Sequence, residues 1–273
     1  LIDALQSRLA SRVESTNRPV SEELRRELDS EPQWMYPWEL APGVEAPIHG
    51  PHLPAIHETR LAMMEPAVRE ALLAAGPQAS TIDLACNEGW FSHRALELGA
   101  GRVLGIDIRE VNVRRAKLVA EQLGIPAGSV EYHQGDVYDL DPAELGQFDV
   151  VLLLGLIYHV EDPTGAIRVA RSLARRLCVI ETQLTRQREP LAWGRGAEHT
   201  ALAPASFAAY AEDDSSVNPV ASAGGILSLI PNSAAVEEMG RAAGFRLIEE
   251  VEPPPTAHPQ YTQGDRGLFL AWV

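Results

Sequence analysis

Five short runs, STIDLA, RVLGID, VEYHQGD, FDVVLLLG and LCVIETQL, constrain this chain more than any other feature. Each has strand composition, and periodic amphipathic stretches separate most of them, at Phe91 to Leu98, Val111 to Leu123 and Pro163 to Arg175. Alternation of this kind needs parallel strands joined by right-handed crossovers, so the expected class is α/β with a doubly wound sheet. FDVVLLLG is apolar on both faces, as a central strand covered by helices on each side must be. Asp162 followed by Pro163 predicts a capped helix start, because proline at the first helical position gives up an N–H that would be unpaired anyway. Near the end, Asn232 or Ser233 caps the helix AAVEEMGRAAG, and Phe245 to Val251 and Gly267 to Val273 add strands.

The flanks of this pattern are irregular. Residues 1 to 30 read as one or two amphipathic helices, with Ser21 a cap before Glu22, Glu23 and Leu24. EPQWMYPWELAPGVEAPIHGPHLP follows, and its Trp34, Tyr36 and Trp38 are costly to leave in water, so it is expected to cover something. Residues 57 to 75 have a helical pattern that Pro66 is expected to kink or restart. Residues 185 to 230 lose the rhythm altogether, and a stretch that long predicts a lid or substrate wall. The organisation expected is therefore an N-terminal extension over residues 1–77 that covers the active site, and a catalytic domain over 78–273 with an insertion at about 185–230.

Composition narrows the partners. The 273 residues, 45% hydrophobic, suffice for one large core. A formal charge of −15, from 23 basic and 38 acidic residues, repels phosphate backbones and anionic lipid, so nucleic acid and membranes are disfavoured and a small-molecule acceptor is preferred. Arg171, Arg175 and Arg176 cluster, but on a crossover helix they form its solvated face. Cys86 and Cys178 lie inside apolar runs and are expected as buried thiols. No apolar stretch is long enough to span a bilayer, and the first residues lack a signal-peptide pattern, which gives the expectation of a soluble cytoplasmic protein, with a homodimer allowed. Two cysteines and no tight His/acid spacing give no metal site.

In an open parallel sheet, ligands sit outside the carboxyl ends of the strands. Asp83, Asp107, Asp136 and Glu181 all fall there, with Gly155 to His159 after the fourth strand. An acid at the end of the second strand is placed to accept hydrogen bonds from a ribose diol. The turn TIDLACNEGWFSH distinguishes between nucleotides, since pyrophosphate needs several small positions, whereas Asn87, Glu88 and Trp90 crowd the space and Glu88 adds negative charge. A ribose-bearing cofactor without phosphate fits better. Asp149 opens a strand and is expected to be structural.

DLACNEGWFSHRALELGAGRVLGIDI resembles the first two motifs of class I S-adenosylmethionine-dependent methyltransferases, in which an acid is followed by glycines at alternate positions. Here those positions are Asp83, Ala85, Asn87 and Gly89, so two glycines are replaced. The likeness continues through GIDIRE, EYHQGDVYDL, FDVVLLLGLIYHVEDP, VIET and PNSAAVEEMGRAAGFRLIEEVEP. It implies a Rossmann-like sheet of about seven strands with the last antiparallel, and S-adenosyl-L-methionine as cofactor. It also implies Asp83, Ala85, Asn87 and Gly89 beside the methionine moiety, Asp107 on the ribose, Ile108 against the adenine, Asp136 and Val137 at the adenine amino edge, and Gly155 and Leu156 flanking the cofactor.

Methyl transfer needs alignment, exclusion of water and, for a hydroxyl, a base. Tyr158 and His159 follow the central strand and are the catalytic candidates; His159 is able to accept a proton near neutral pH. His49, His57 and His199 lie in flanking segments, and Trp34, Tyr36, Trp38, Trp193 and Arg266 are weaker substrate-binding candidates. GLIYHVEDP, VIETQL and GDRGLFLAW are also similar to the bacterial wobble-uridine tRNA carboxymethyltransferase family. That resemblance implies carboxy-S-adenosyl-L-methionine, with its extra carboxylate held by Tyr158 and Arg266. The preferred expectation is O-methylation of a natural product or sugar hydroxyl, as in secondary metabolism. N- or C-methylation of a small molecule, tRNA modification and an inactive binding subunit remain as alternatives.

Overall fold

The computed structural model describes residues 18–30, 33–186, 205–212 and 227–273. Helix α1 (Glu22–Leu28) starts where the Ser21 side chain accepts the Leu24 N–H. A two-stranded ribbon, β1 (Glu39–Ala41) and β2 (Val44–Glu45), leads to α2 (Leu53–Ala75). Helix α2 continues through Pro66, so the expected kink or restart at that residue does not break it into two.

The alternating part follows as β3 (Ser80–Leu84), α3 (Trp90–Leu98), β4 (Arg102–Asp107), α4 (Glu110–Gln122), β5 (Val130–Gln134), α5 (Pro142–Leu145), β6 (Phe148–Leu154), α6 (Pro163–Leu173) and β7 (Ala174–Gln183). Asp162 caps α6 through the Gly165 N–H, with Pro163 at its first turn. Then come β8 (Phe207–Ala211), β9 (Leu227–Pro231), α7 (Ser233–Ala243), β10 (Leu247–Glu250), α8 (Pro259–Thr262) and β11 (Arg266–Trp272). Asn232, rather than Ser233, caps α7.

The main sheet has the order β10-β11-β7-β6-β3-β4-β5. The β3, β4, β5, β6 and β7 pairings are parallel, and β11 runs antiparallel to both β7 and β10. This is the Rossmann-like doubly wound arrangement with a reversed last strand. The strand order switches direction between β3 and β6, which opens the ligand crevice there.

Every residue of β6 is buried. The two-residue period divides its side chains between the layers: Val150, Leu152 and Leu154 pack with residues of α2, α3 and the 34–46 segment, and Val151 and Leu153 pack with α6 and α7. Both cysteines are free and buried.

The basic cluster is a correction. Helix α6 ends at Leu173, so Arg175 and Arg176 lie on β7, where both pair with Asp149, at 3.1 and 3.5 Å. Asp149 also accepts the Ser80 N–H at 2.9 Å, so it ties β3, β6 and β7 together at the edge away from the crevice. Arg171 donates to the Gly244 carbonyl and lies over Phe245.

Candidate active site

The turn after β3 carries three left-handed residues at alternate positions, Ala85 (φ 59°), Asn87 (φ 52°) and Gly89 (φ 79°). Such a backbone costs an L-residue about 1–2 kcal/mol, least for asparagine. At Gly89 a side chain is excluded, because a Cβ would lie 2.3 Å from the Tyr132 hydroxyl. The conformation is imposed by pairing. Cys86 N–H donates to the Ile106 carbonyl, and Asn87 N–H donates to Asp107 Oδ2 at 2.8 Å.

The acids of the turn do different work. Asp83 is buried and accepts the Ser92 hydroxyl at 2.7 Å; burial raises its pKa to about 7. Glu88 points into the N-terminal segment, where it accepts the Met35 N–H and lies 3.8 Å from Arg115, and burial raises its pKa to about 7 as well. Glu88 therefore shapes and anchors the turn.

Asp107 closes β4 with Oδ1 accepting from Arg109 N–H and Asn112 Nδ2, and Oδ2 from Asn87 N–H. Burial raises its pKa despite these donors. A carboxylate has about four acceptor positions, so Oδ2 retains capacity for one further donor.

Asp107 opens onto a cavity of about 430 Å³, lined by Ala85, Ile106, Asp107, Ile108, Gly135, Asp136, Val137, Tyr138, Leu156, His159, Val160, Glu161 and Asp162. Seven residues singled out in the sequence thus meet in one space: Ala85, Asp107, Ile108, Asp136, Val137, Leu156 and His159. Asp136 caps the turn after β5 by accepting the Tyr138 N–H, and the Tyr138 hydroxyl donates to the Asp162 carbonyl. Tyr138 was not among the sequence candidates, although it stands next to Val137.

Beyond β6 the site is built from distant segments. Glu181, fully buried on β7, accepts Arg266 Nη1 at 2.9 Å and the Tyr261 hydroxyl at 2.8 Å, and pairs with Arg60 Nη2 at 2.8 Å. Burial alone would raise the Glu181 pKa, but Arg60, Arg266 and the Tyr261 hydroxyl outweigh it and hold the carboxyl below its ordinary value. Arg266 also donates to Gln260 at 2.8 Å and to the Tyr158 hydroxyl at 3.3 Å, and stacks over the Tyr158 ring. Two buried guanidiniums thus face one carboxylate, and Arg60 Nε has no hydrogen-bond partner among the described residues. Gly155, at φ 74°, lies beside Arg60 and Tyr158. Arg60 carried no signal beyond being one of two arginines in a long helix.

The inserted strands contribute as well. His159 Nδ1 lies 2.6 Å from Glu212 Oε1, and the Tyr210 hydroxyl donates to the same oxygen at 2.8 Å. Glu212 sits in the acidic stretch AEDDSS and was missed, since nothing local joins it to position 159.

Other candidates stand apart from the cavity. Tyr158 is buried against Arg266 and does not line it. Trp34, Tyr36 and Trp38, read as substrate contacts, are instead buried packing groups. Trp34 lies under the Arg115 guanidinium and donates to the Glu27 carbonyl, Tyr36 stacks on Trp90, and Trp38 meets His93 edge-on. His57 is buried beside Tyr36 and bonded to the Met35 carbonyl, and His49 lies outside the lining. Trp193 and His199 fall outside the described residues. Among the described residues, no three His, Cys, Asp or Glu side chains group to hold a metal, and no helix is long and apolar enough to cross a membrane.

A family model described as a methyltransferase domain matches residues 82–177. This marks a methyltransferase domain in the chain, and the sheet order and the acid at the end of β4 are similar to those of class I S-adenosylmethionine-dependent methyltransferases. The N-terminal domain of EvdMO1, solved in the presence of SAH and D-fucose, matches with a TM-score of 0.65 and 25% identity over 94% of this chain and 97% of that one. The ubiquinone biosynthesis O-methyltransferase of Xanthomonas axonopodis pv. citri (strain 306) is 32% identical over 142 residues, 50% of this chain and 52% of that protein. The O-antigen chain terminator bifunctional methyltransferase/kinase WbdD of Escherichia coli is 30% identical over 125 residues, 44% of this chain and 17% of that protein. The chain spans about half the length, or less, of these curated relatives.

Proposed function

We propose that this protein transfers the methyl group of S-adenosylmethionine to a hydroxyl of a small molecule, a sugar or natural-product alcohol. The observation that supports it most is the pairing of Asp107, with spare acceptor capacity toward the cavity, and His159 on the same lining. In this reading Asp107 holds the ribose diol, Ile108, Val137 and Tyr138 enclose the adenine, and Asp136 addresses its amino edge. Ala85, Asn87 and Gly89, with Asp83 behind them, shape the turn at the methionine end, and Leu156 and Gly155 form the opposite wall. The excess positive charge of Arg60 and Arg266 suits the cofactor carboxylate. Bound there, the cofactor supplies an electrophilic methyl on a positively charged sulfur. The chain's own part is to align the acceptor oxygen, exclude water and take up the hydroxyl proton at His159.

The N-terminal segment, held to the turn by Met35 and Glu88, is read as one wall of the site and the β8–β9 insertion as another. Two relatives point to hydroxyl acceptors: EvdMO1 was solved with D-fucose, and the ubiquinone-pathway relative is an O-methyltransferase. The net charge of −15 favours a small acceptor over nucleic acid.

Titration calorimetry with S-adenosylhomocysteine tests the site. Micromolar binding is expected, with a loss of about 100-fold or more in Asp107→Ala measured well below its melting temperature, which falls because three donors lose their acceptor. Absence of binding at millimolar ligand would overturn the reading. Tritium transfer from the methyl-labelled cofactor to D-fucose tests the acceptor class.

A second reading rests on the Arg266–Tyr158 contact, the pair that the carboxymethyltransferase resemblance assigns to an extra carboxylate. Tighter binding of carboxy-S-adenosylmethionine than of S-adenosylmethionine, with modification of uridine in bulk tRNA, would establish it in place of the first.

A further inference from the structure

The insertion does more than form a wall. We infer that Glu212, delivered at the end of β8, is the positioning residue of a Glu212–His159 pair that makes His159 the proton acceptor for a neutral hydroxyl; this rests on the hydroxyl-acceptor reading above. Three observations carry it. First, His159 Nδ1 lies 2.6 Å from Glu212 Oε1, and an ionised carboxylate only accepts, so Nδ1 carries the proton. The lone pair is then confined to Nε2, the tautomer a base requires. Second, the Tyr210 hydroxyl donates to the same oxygen, which gives the carboxylate a second restraint. Third, β9 packs directly on the 157–159 turn, which sets the β8–β9 pair, and with it Glu212, beside His159. A buried carboxylate at that place is explained by orienting and charge-balancing the imidazole.

The step balances without another reactant. The acceptor oxygen forms its bond to the methyl carbon while the carbon–sulfur bond breaks, its electron pair going to sulfur, which becomes the neutral thioether. The hydroxyl proton moves to His159 Nε2, and the imidazolium is neutralised by Glu212. A carboxylate acceptor needs no such base, because it has no proton to lose at neutral pH. The pair therefore selects for a protonated, neutral oxygen acceptor.

The groups facing His159 are Glu212 and Tyr210 from β8, Tyr158 beside it with Arg266 stacked on that ring, and Glu161 and Asp162 on the same cavity wall. Strand β9, sequence LSLIP, adds no titratable side chain.

The test joins two measurements. Nitrogen-15 imidazole spectroscopy, with S-adenosylhomocysteine bound, should show neutral His159 protonated at Nδ1, with that tautomer no longer fixed in Glu212→Gln. Methyl transfer to a hexose probe should lose about 10- to 100-fold in kcat in Glu212→Gln, with KM for S-adenosylmethionine unchanged. Glu212→Asp should retain more activity than Glu212→Gln, and Tyr210→Phe should lose only a few-fold while keeping the carboxylate. An identical His159 tautomer in Glu212→Gln would overturn the pair whatever the acceptor. Transfer to an amine probe but not to the hexose would overturn the hydroxyl reading, with the spectroscopic signature of the pair still intact.

Discussion

The β3–β4–β5 side of the crevice and the β6–β7–β11 side are built by different means. On the first, the chain folds on itself locally: Ala85, Asn87 and Gly89 adopt positive φ, and Asp107 accepts N–H groups from Asn87 and Arg109. On the second, Arg60 comes from α2, Glu181 from β7, Tyr261 from α8, Arg266 from β11 and Glu212 from the insertion. Backbone pairing produces a shape that tolerates non-glycine residues at 85 and 87, though not at 89. Long-range charge pairing produces a site in which each member depends on the others, since an ion left alone in the interior has no solvent to compensate it.

The largest effect should come from breaking the second side. Glu181→Gln leaves Arg60 and Arg266 facing each other without their shared carboxylate, and should cost about 3–5 kcal/mol in urea unfolding. A loss below about 1 kcal/mol would show that the two arginines are not held by this acid, and would remove the contrast.

An intermediate effect tests the first side through pH. The Asp83 pKa is raised by burial from 3.8 to about 7, so the folded protein keeps a proton that the unfolded chain releases. That stability is fully present below about pH 4 and is lost as pH rises through about 7. Ligand-free protein should therefore melt progressively lower between pH 5 and pH 8 than Asp83→Asn, whose amide has no proton to lose. Glu88, also raised to about 7 by burial, adds to the slope in both proteins, so the difference between them isolates Asp83. Parallel melting curves across that window would assign the slope elsewhere.

The smallest effect is expected at Ala85. Replacement by glycine relieves a left-handed backbone strain of about 1–2 kcal/mol but adds about 0.4–1 kcal/mol of unfolded-state freedom. Ala85→Gly should be neutral or stabilising by up to about 1.5 kcal/mol in chemical denaturation. Destabilisation would mean that the methyl group packs usefully in the cavity wall.

The same division governs what was legible. Short-range patterns carried the sheet, the helix caps at Ser21 and Asp162, and the acids at strand ends. They also carried the alternate positions 85, 87 and 89, where two of the glycines usual at such a turn are replaced. The structure shows that turn in its left-handed form regardless, because Asp107 and the Ile106 carbonyl pair with it. The aromatic residues of 34–38 misled in the other direction, since the tendency to bury a large ring does not say whether a ligand or the protein covers it. Here Arg115, Trp90 and His93 do.

By itself the sequence determined the order of strands and helices, and with it the crevice, because strand and helix periods are local properties of the chain. It also determined which acids stand at that edge. Only the tertiary structure decided that Arg60 and Arg266 share Glu181, that Glu88 turns toward Met35, and that Glu212 meets His159. Those partners lie far apart along the chain, and no local period encodes a contact that exists only once the sheet has brought its flanking segments together.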